Sequence, residues 1–174
     1  MPRLRKPRAL PRRGTIGLAA PASALDMERV AIGEKRWRDA GFDVVYRDDI
    51  GARHRYLAGD DARRAAELHE LWENPRLDAI VCARGGWGCH RIMDRLDAEL
   101  VRTAAKPLLG YSDVTTLLLW QRRAVRLVGF HGPMLERPLA DDEFEAVVEM
   151  LTGRERLPVA RAGAEGGGGA AEGP

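Results

Sequence analysis

The chain has 174 residues, 45% of them hydrophobic, with a formal net charge of +2. That length suits one ordinary domain with its own core, and no apolar run approaches the roughly 20 residues of a membrane-spanning helix. Two cysteines, Cys82 and Cys89, seven apart and without a C-x-x-C, read as free thiols in a reducing compartment.

The small net charge conceals an asymmetry. Residues 1–13 carry Arg3, Arg5, Lys6, Arg8, Arg12 and Arg13 and no acid, so the remainder is net acidic. No long apolar stretch follows the basic start, which argues against a secretory signal. Prolines break this arm and no aromatic residues interleave its charges to stack on bases. It reads as a disordered solvated arm rather than a nucleic-acid or membrane contact.

In chain order, residues 15–23 (TIGLAAPAS) form a buried strand that ends in small residues. A helix is expected over 26–40, with Val30, Ile32, Trp37 and Ala40 as its apolar side and Gly41 as its stop. A short strand over 42–46 and an irregular polar stretch over 48–59 come next. Asp60 and Asp61 then cap a helix running to Trp72, whose buried stripe is Leu68, Leu71 and Trp72. Asn74-Pro75 ends it. A third buried strand over 77–83 enters the glycine-rich turn Arg84-Gly85-Gly86-Trp87-Gly88, which opens another helix. The fourth strand, 106–111, meets Ser112-Asp113 and becomes a helix to residue 123. The fifth, 127–131, ends in Gly132-Pro133-Met134, and a last helix covers 141–151. Alternation at this spacing predicts an α/β fold: a parallel sheet with helices on both faces, in three layers of flavodoxin-like or Rossmann-like kind. From Thr152 the pattern stops. The domain is expected over 14–157, followed by a disordered Gly/Ala-rich tail over 158–174.

Open parallel sheets gather their sites at the carboxyl ends of their strands. Three turns lie at such ends: Arg84 to Gly88, Gly110 to Asp113, and Phe130 to Met134. Ser112 sits where a strand hands over to a helix, so it is a candidate nucleophile, with the amide of Asp113 positioned for an oxyanion. A helix-capping serine has the same signature, and Val114 stands where the G-x-S-x-G elbow has its second glycine. The Gly85-Gly86 turn can aim a backbone amide at the same oxyanion, act as a tight turn, or cradle a phosphate, though it lacks the Lys-Ser/Thr of a P-loop. His131 is a wall residue or a base. Trp87 and Tyr111 are core or pocket wall, and Arg84 pairs with a substrate carboxylate or within the fold. His54, His69 and His90 show no metal-ligand spacing.

At these turns the sequence resembles the LD-carboxypeptidase family, which includes microcin-immunity-type peptidases. The matching pieces are GTIGLAAPAS at 14–23, AIVCARGGWG at 79–88, KPLLGYSDVT at 106–115 and FHGPM at 130–134, in the family's order. The resemblance implies a cytoplasmic serine peptidase, often dimeric and needing no metal or cofactor. It would cleave L,D-peptide bonds of peptidoglycan-derived muropeptides through an acyl-serine. Ser112 falls at the family's nucleophile, and Asp113 with Gly85 or Gly86 at its oxyanion hole. The family's histidine and glutamate belong to a second, C-terminal domain, and no residue here matches them. The expectation is therefore a nucleophile domain with little activity alone, which self-associates or needs a separate second half. It would expose Trp87, Tyr111 and Met134. A non-catalytic muropeptide-binding module and, less favoured, a nucleotide-binding domain are the alternatives.

Overall fold

A computed structural model of the chain describes residues 3–154. The expected tail over 158–174 lies outside the described residues. Five parallel strands make one sheet: β1 (Thr15–Ala19), β2 (Asp43–Val45), β3 (Ala79–Cys82), β4 (Leu108–Gly110) and β5 (Phe130–His131), in the order β2-β1-β3-β4-β5. This is the flavodoxin-like order, whose direction reverses between β1 and β3.

Side chains on successive strand residues face opposite ways, so each buried strand feeds both layers. Ile80 and Cys82 pack on one side with Leu68, Leu71 and Trp72 of α2 (Asp61–Glu73), Val101 of α3 (Ala98–Ala104) and Leu117 and Leu118 of α4 (Thr115–Val125). Ala79, Val81 and Ala83 pack on the other with Val30 and Trp37 of α1 (Met27–Asp39) and Val147 and Leu151 of α5 (Asp141–Thr152). Asp26, Asp60 and Asp97 accept the first free amides of α1, α2 and α3, as N-caps do.

Three expectations change. The apolar side of α1 is Val30, Gly33 and Trp37, while Ile32 is 71% exposed and Ala40 is exposed too. A Cβ on Gly33 would stand 2.4 Å from the carbonyl oxygen of Leu135, so the missing side chain lets the helix close on that segment. The helix after the glycine-rich turn is a 3₁₀ helix, Cys89–Arg95, followed by the unforeseen α3. The basic arm is held at several points, although most of its side chains are exposed. The Arg5 amide donates to the Arg126 carbonyl and its carbonyl accepts from Val128, beside a parallel bridge to Leu127. Leu10 is 1% exposed and its amide donates to the Leu151 carbonyl.

Candidate active site

β4 delivers Ser112 to the sheet's carboxyl edge. Tyr111 is extended, and Ser112 then takes φ +58°, a left-handed conformation that a non-glycine residue adopts only under local strain. Ser112 opens a 3₁₀ turn, Ser112–Val114, that runs directly into α4. Its side chain is not a helix cap: the caps are Tyr111 and Val114, and neither makes a side-chain cap bond. The sharp bend needs Gly110, where a Cβ would meet Val114 Cγ1 at 2.5 Å. The backbone amide of Asp113 belongs to the first turn, where helix amides lack a partner within the helix.

The glycine turn after β3 lies against this serine. A Cβ on Gly85 would stand 3.1 Å from Ser112 Cβ and 3.3 Å from Ser112 Oγ, so the bare Gly85 backbone lies directly against the Ser112 side chain. Gly86 has φ +105°, and a Cβ there would collide with Ser23 Oγ at 2.0 Å. Ser23, at the end of the β1 loop, fixes the turn: its amide donates to the Gly85 carbonyl at 3.1 Å and its Oγ accepts from the Trp87 amide at 3.3 Å. Within a planar trans peptide the N–H points opposite to the C=O. The Gly86 amide therefore points away from Ser23.

Other fastenings were not read from the sequence. Asp113 Oδ2 accepts from the Cys89 amide at 2.8 Å, tying the serine turn to the start of the 3₁₀ helix. Arg64 is fully buried on α2 and donates through Nη1 to the carbonyls of Pro21 at 2.6 Å and Gly88 at 2.9 Å, while Asp61 accepts from its Nη2. Glu67, also fully buried, accepts from the Ala20 amide at 2.7 Å and from Arg63 at 2.8 Å. Burial pushes its carboxyl above the usual range, against the pull of Arg63 and the Ala20 amide. A signal was present: Arg64, Glu67, Leu68 and Leu71 recur at the spacing of one helical face.

After β5 the chain folds back across the sheet edge, where the amides of Leu135 and Glu136 donate to the carbonyls of Cys82 and Ala83. That places Glu136 at the cleft. Its Oε1 accepts from the Asp26 amide at 2.9 Å and its Oε2 lies 3.9 Å from Arg84 Nη1. Burial raises the Glu136 carboxyl above its ordinary value, partly offset by these donors.

The resulting cleft has a volume of about 340 Å³ and brings together Arg84, Gly85, Gly86, Tyr111 and Ser112 with Arg29, Met134, Glu136 and Arg137. Trp87 and His131 lie outside its lining. Trp87 is 55% exposed and packs edge-on against His90, while His131 packs edge-on against Tyr111. Met134 is buried at 5%, contrary to the exposed apolar edge expected of it. Among the described residues no base hydrogen-bonds the Ser112 hydroxyl; the bonds of this turn run through the Asp113 carboxylate and the Val114 and Thr115 amides. His54 and His90 are exposed, and His69 Nε2 accepts from the Asp97 amide. Burial raises both thiols, so neither Cys82 nor Cys89 is a ready nucleophile. The described residues include no cluster of three or more metal-ligating side chains, and no helix long and apolar enough to cross a membrane.

Residues 16–132 match the sequence model of the LD-carboxypeptidase N-terminal domain. The chain is 37% identical to the "Probable murein peptide carboxypeptidase" of Bacillus subtilis (strain 168) over 138 residues, covering 79% of this chain and 43% of that protein. It is 34% identical over 122 residues to the murein tetrapeptide carboxypeptidase of Pseudomonas aeruginosa, covering 70% of this chain and 39% of that protein. The solved structure of MccF in complex with glutamyl sulfamoyl guanosine superposes with a TM-score of 0.81 at 28% identity, over 87% of this chain and 47% of that one. The chain thus spans less than half the length of these relatives.

Proposed function

The chain belongs to the LD-carboxypeptidase family, and from that premise we propose that it carries the nucleophile and oxyanion hole of a serine peptidase acting on murein peptides. The observation that carries the proposal is Ser112 itself, held at φ +58° where β4 ends, with the Gly85 backbone against its side chain. A strained serine on a strand-to-helix turn presents its hydroxyl outward rather than into the helix.

In this reading Ser112 Oγ attacks the carbonyl carbon of an L,D-peptide bond in a peptidoglycan-derived muropeptide. The carbonyl oxygen takes up negative charge, and the amides of Asp113 and Gly86 or Gly85 receive it. The bond to nitrogen breaks, the amine leaves with a proton, and water hydrolyses the acyl-serine. The relatives' names support the substrate class. Among the described residues no base hydrogen-bonds the hydroxyl, so in this reading the base is supplied from outside residues 3–154. Cytoplasmic placement is part of the same proposal, supported by two unpaired cysteines.

The same lack of a base favours a second reading, a muropeptide-binding module without turnover. A fluorophosphonate probe followed by peptide mapping separates the two. We expect slow labelling on Ser112, driven by the oxyanion hole without a base and lost in Ser112→Ala. Absent labelling together with retained peptide binding would establish the module instead.

A further inference from the structure

The glycine turn after β3 has two ways to lie. Gly86 takes φ +105°, a value that residues with a side chain rarely adopt. Turning the Gly85–Gly86 peptide over by about 180° would carry that angle from +105° to about −75°, an ordinary backbone value. Type II and type I turns are related in this way: they differ chiefly in which side the carbonyl and the amide of one peptide face. Glycine tolerates both, so the turn's own residues do not choose between them.

Ser23 makes the choice. Its amide donates to the Gly85 carbonyl at 3.1 Å and its Oγ accepts from the Trp87 amide at 3.3 Å, so it holds the peptides on both sides of Gly86. The described chain has no cis peptide bond, and in a trans peptide the N–H points opposite to the C=O. The Gly85 carbonyl is turned to Ser23, which follows β1. The Gly86 N–H is therefore turned the other way. β3 lies between β1 and β4, so the other way is the β4 side, where Ser112 stands. Flipped, the same peptide would present its carbonyl oxygen to that side and repel an oxyanion.

Ser23 is itself a fixed point. The Ala20 amide donates to Glu67 at 2.7 Å, and the Pro21 carbonyl accepts from Arg64 at 2.6 Å. The Ala22 carbonyl accepts from the Ala58 amide at 3.0 Å, and the Ala24 amide donates to the Tyr56 carbonyl at 2.9 Å. Ser23 is absent from the lining of the Ser112 cleft, so it acts on the turn rather than on a bound peptide.

We infer that Ser23 is a positioning residue of the oxyanion hole: it holds the Gly85–Gly86 peptide in the orientation that offers the Ser112 side the amide of Gly86 instead of the carbonyl of Gly85. The inference rests on the reading of Ser112 as the nucleophile, and it assigns the second donor to Gly86 rather than Gly85.

The test uses the 174-residue chain and reads the rate of fluorophosphonate labelling at Ser112 against probe concentration. Ser23→Ala removes the acceptor of the Trp87 amide and leaves Gly86 held from one side only. It should lower the limiting rate roughly tenfold, because the hole acts on the charge that develops during reaction. The half-saturating concentration should stay within about twofold, because Ser23 does not touch the bound probe. An unaltered circular-dichroism spectrum shows that the fold persists. An unchanged limiting rate, or a loss carried by the half-saturating concentration alone, overturns the inference. A crystal structure of Ser23→Ala gives a readout that needs no reaction: the Gly85 carbonyl should turn to the cleft in at least part of the molecules, and a turn identical to that of the unsubstituted chain overturns the inference. Absent labelling of the unsubstituted chain rejects the nucleophile alone, and the orientation of the Gly85 carbonyl then decides on Ser23.

Discussion

Ser112 and Gly86 carry opposite conformational loads. Ser112 holds a left-handed φ despite its side chain, whereas Gly86 holds φ +105° because it has none. Filling Gly86 meets two penalties together, a backbone region disfavoured for L-residues and a 2.0 Å contact with Ser23 Oγ. Gly86→Ala should therefore cost about 1–3 kcal/mol of stability by chemical denaturation. Adding Ser23→Gly should recover only the steric part, and full recovery would show that the φ requirement is absent. At this scale the sequence was legible where spacing marks a turn: the serine, its following acid and the two glycines all lie where the motifs put them. It was not legible where the partner is distant. Glu136 reaches Arg84 only because the chain folds back after β5, and Ser23 meets Gly86 only because β1 and β3 are neighbours.

Among the elements, α2 positions the site most directly. Arg64 and Glu67 lie on its buried face and hold the Ala20, Pro21 and Gly88 backbone on both sides of the β1/β3 switch point. Arg64→Met keeps the side-chain bulk but removes the guanidinium from the Pro21 and Gly88 carbonyls and from Asp61, leaving them the weaker Cys89 thiol, the Arg91 amide and the Arg91 side chain. It should destabilise the domain by about 1–3 kcal/mol, seen as a lowered denaturation midpoint. A change below about 0.5 kcal/mol would mean that water replaces the guanidinium. Charged residues hid this face, because Arg and Glu ordinarily read as solvated. The opposite error occurred on α1. Ile32 reads as core by hydropathy, but Gly33 is what faces Leu135, and one residue along a helix rotates a side chain by about 100°. Close backbone approach selects the absence of a side chain, which a count of apolar positions does not register.

Taken whole, the molecule was most legible in its architecture. Short apolar runs alternating with amphipathic segments specify a parallel sheet covered on both faces, and the sheet has that form. The arm over 3–13 was misread because it is held mainly through backbone groups, at Arg5, Arg8 and Leu10, which leave no trace in a pattern of basic side chains. In the proposed function the Asp113 and Gly85–Gly86 amides form the hole for Ser112, and among the described residues no base hydrogen-bonds its hydroxyl. A serine without its base loses most of its nucleophilic power, with residual catalysis coming from the oxyanion hole and binding. D-alanine release from an L,D-tetrapeptide by the 174-residue chain alone should lie near background, and robust turnover would direct attention to His131. In the proposed reaction Ser112 directs the oxyanion into a hole made by Asp113 and the Gly85–Gly86 turn. A crystal structure of the Ser112 phosphonate adduct tests it most directly. A phosphonyl oxygen should lie at about 2.7–3.1 Å from the Asp113 amide and from a Gly85 or Gly86 amide. An adduct whose oxygens face solvent, with those amides bonded elsewhere, would contradict it.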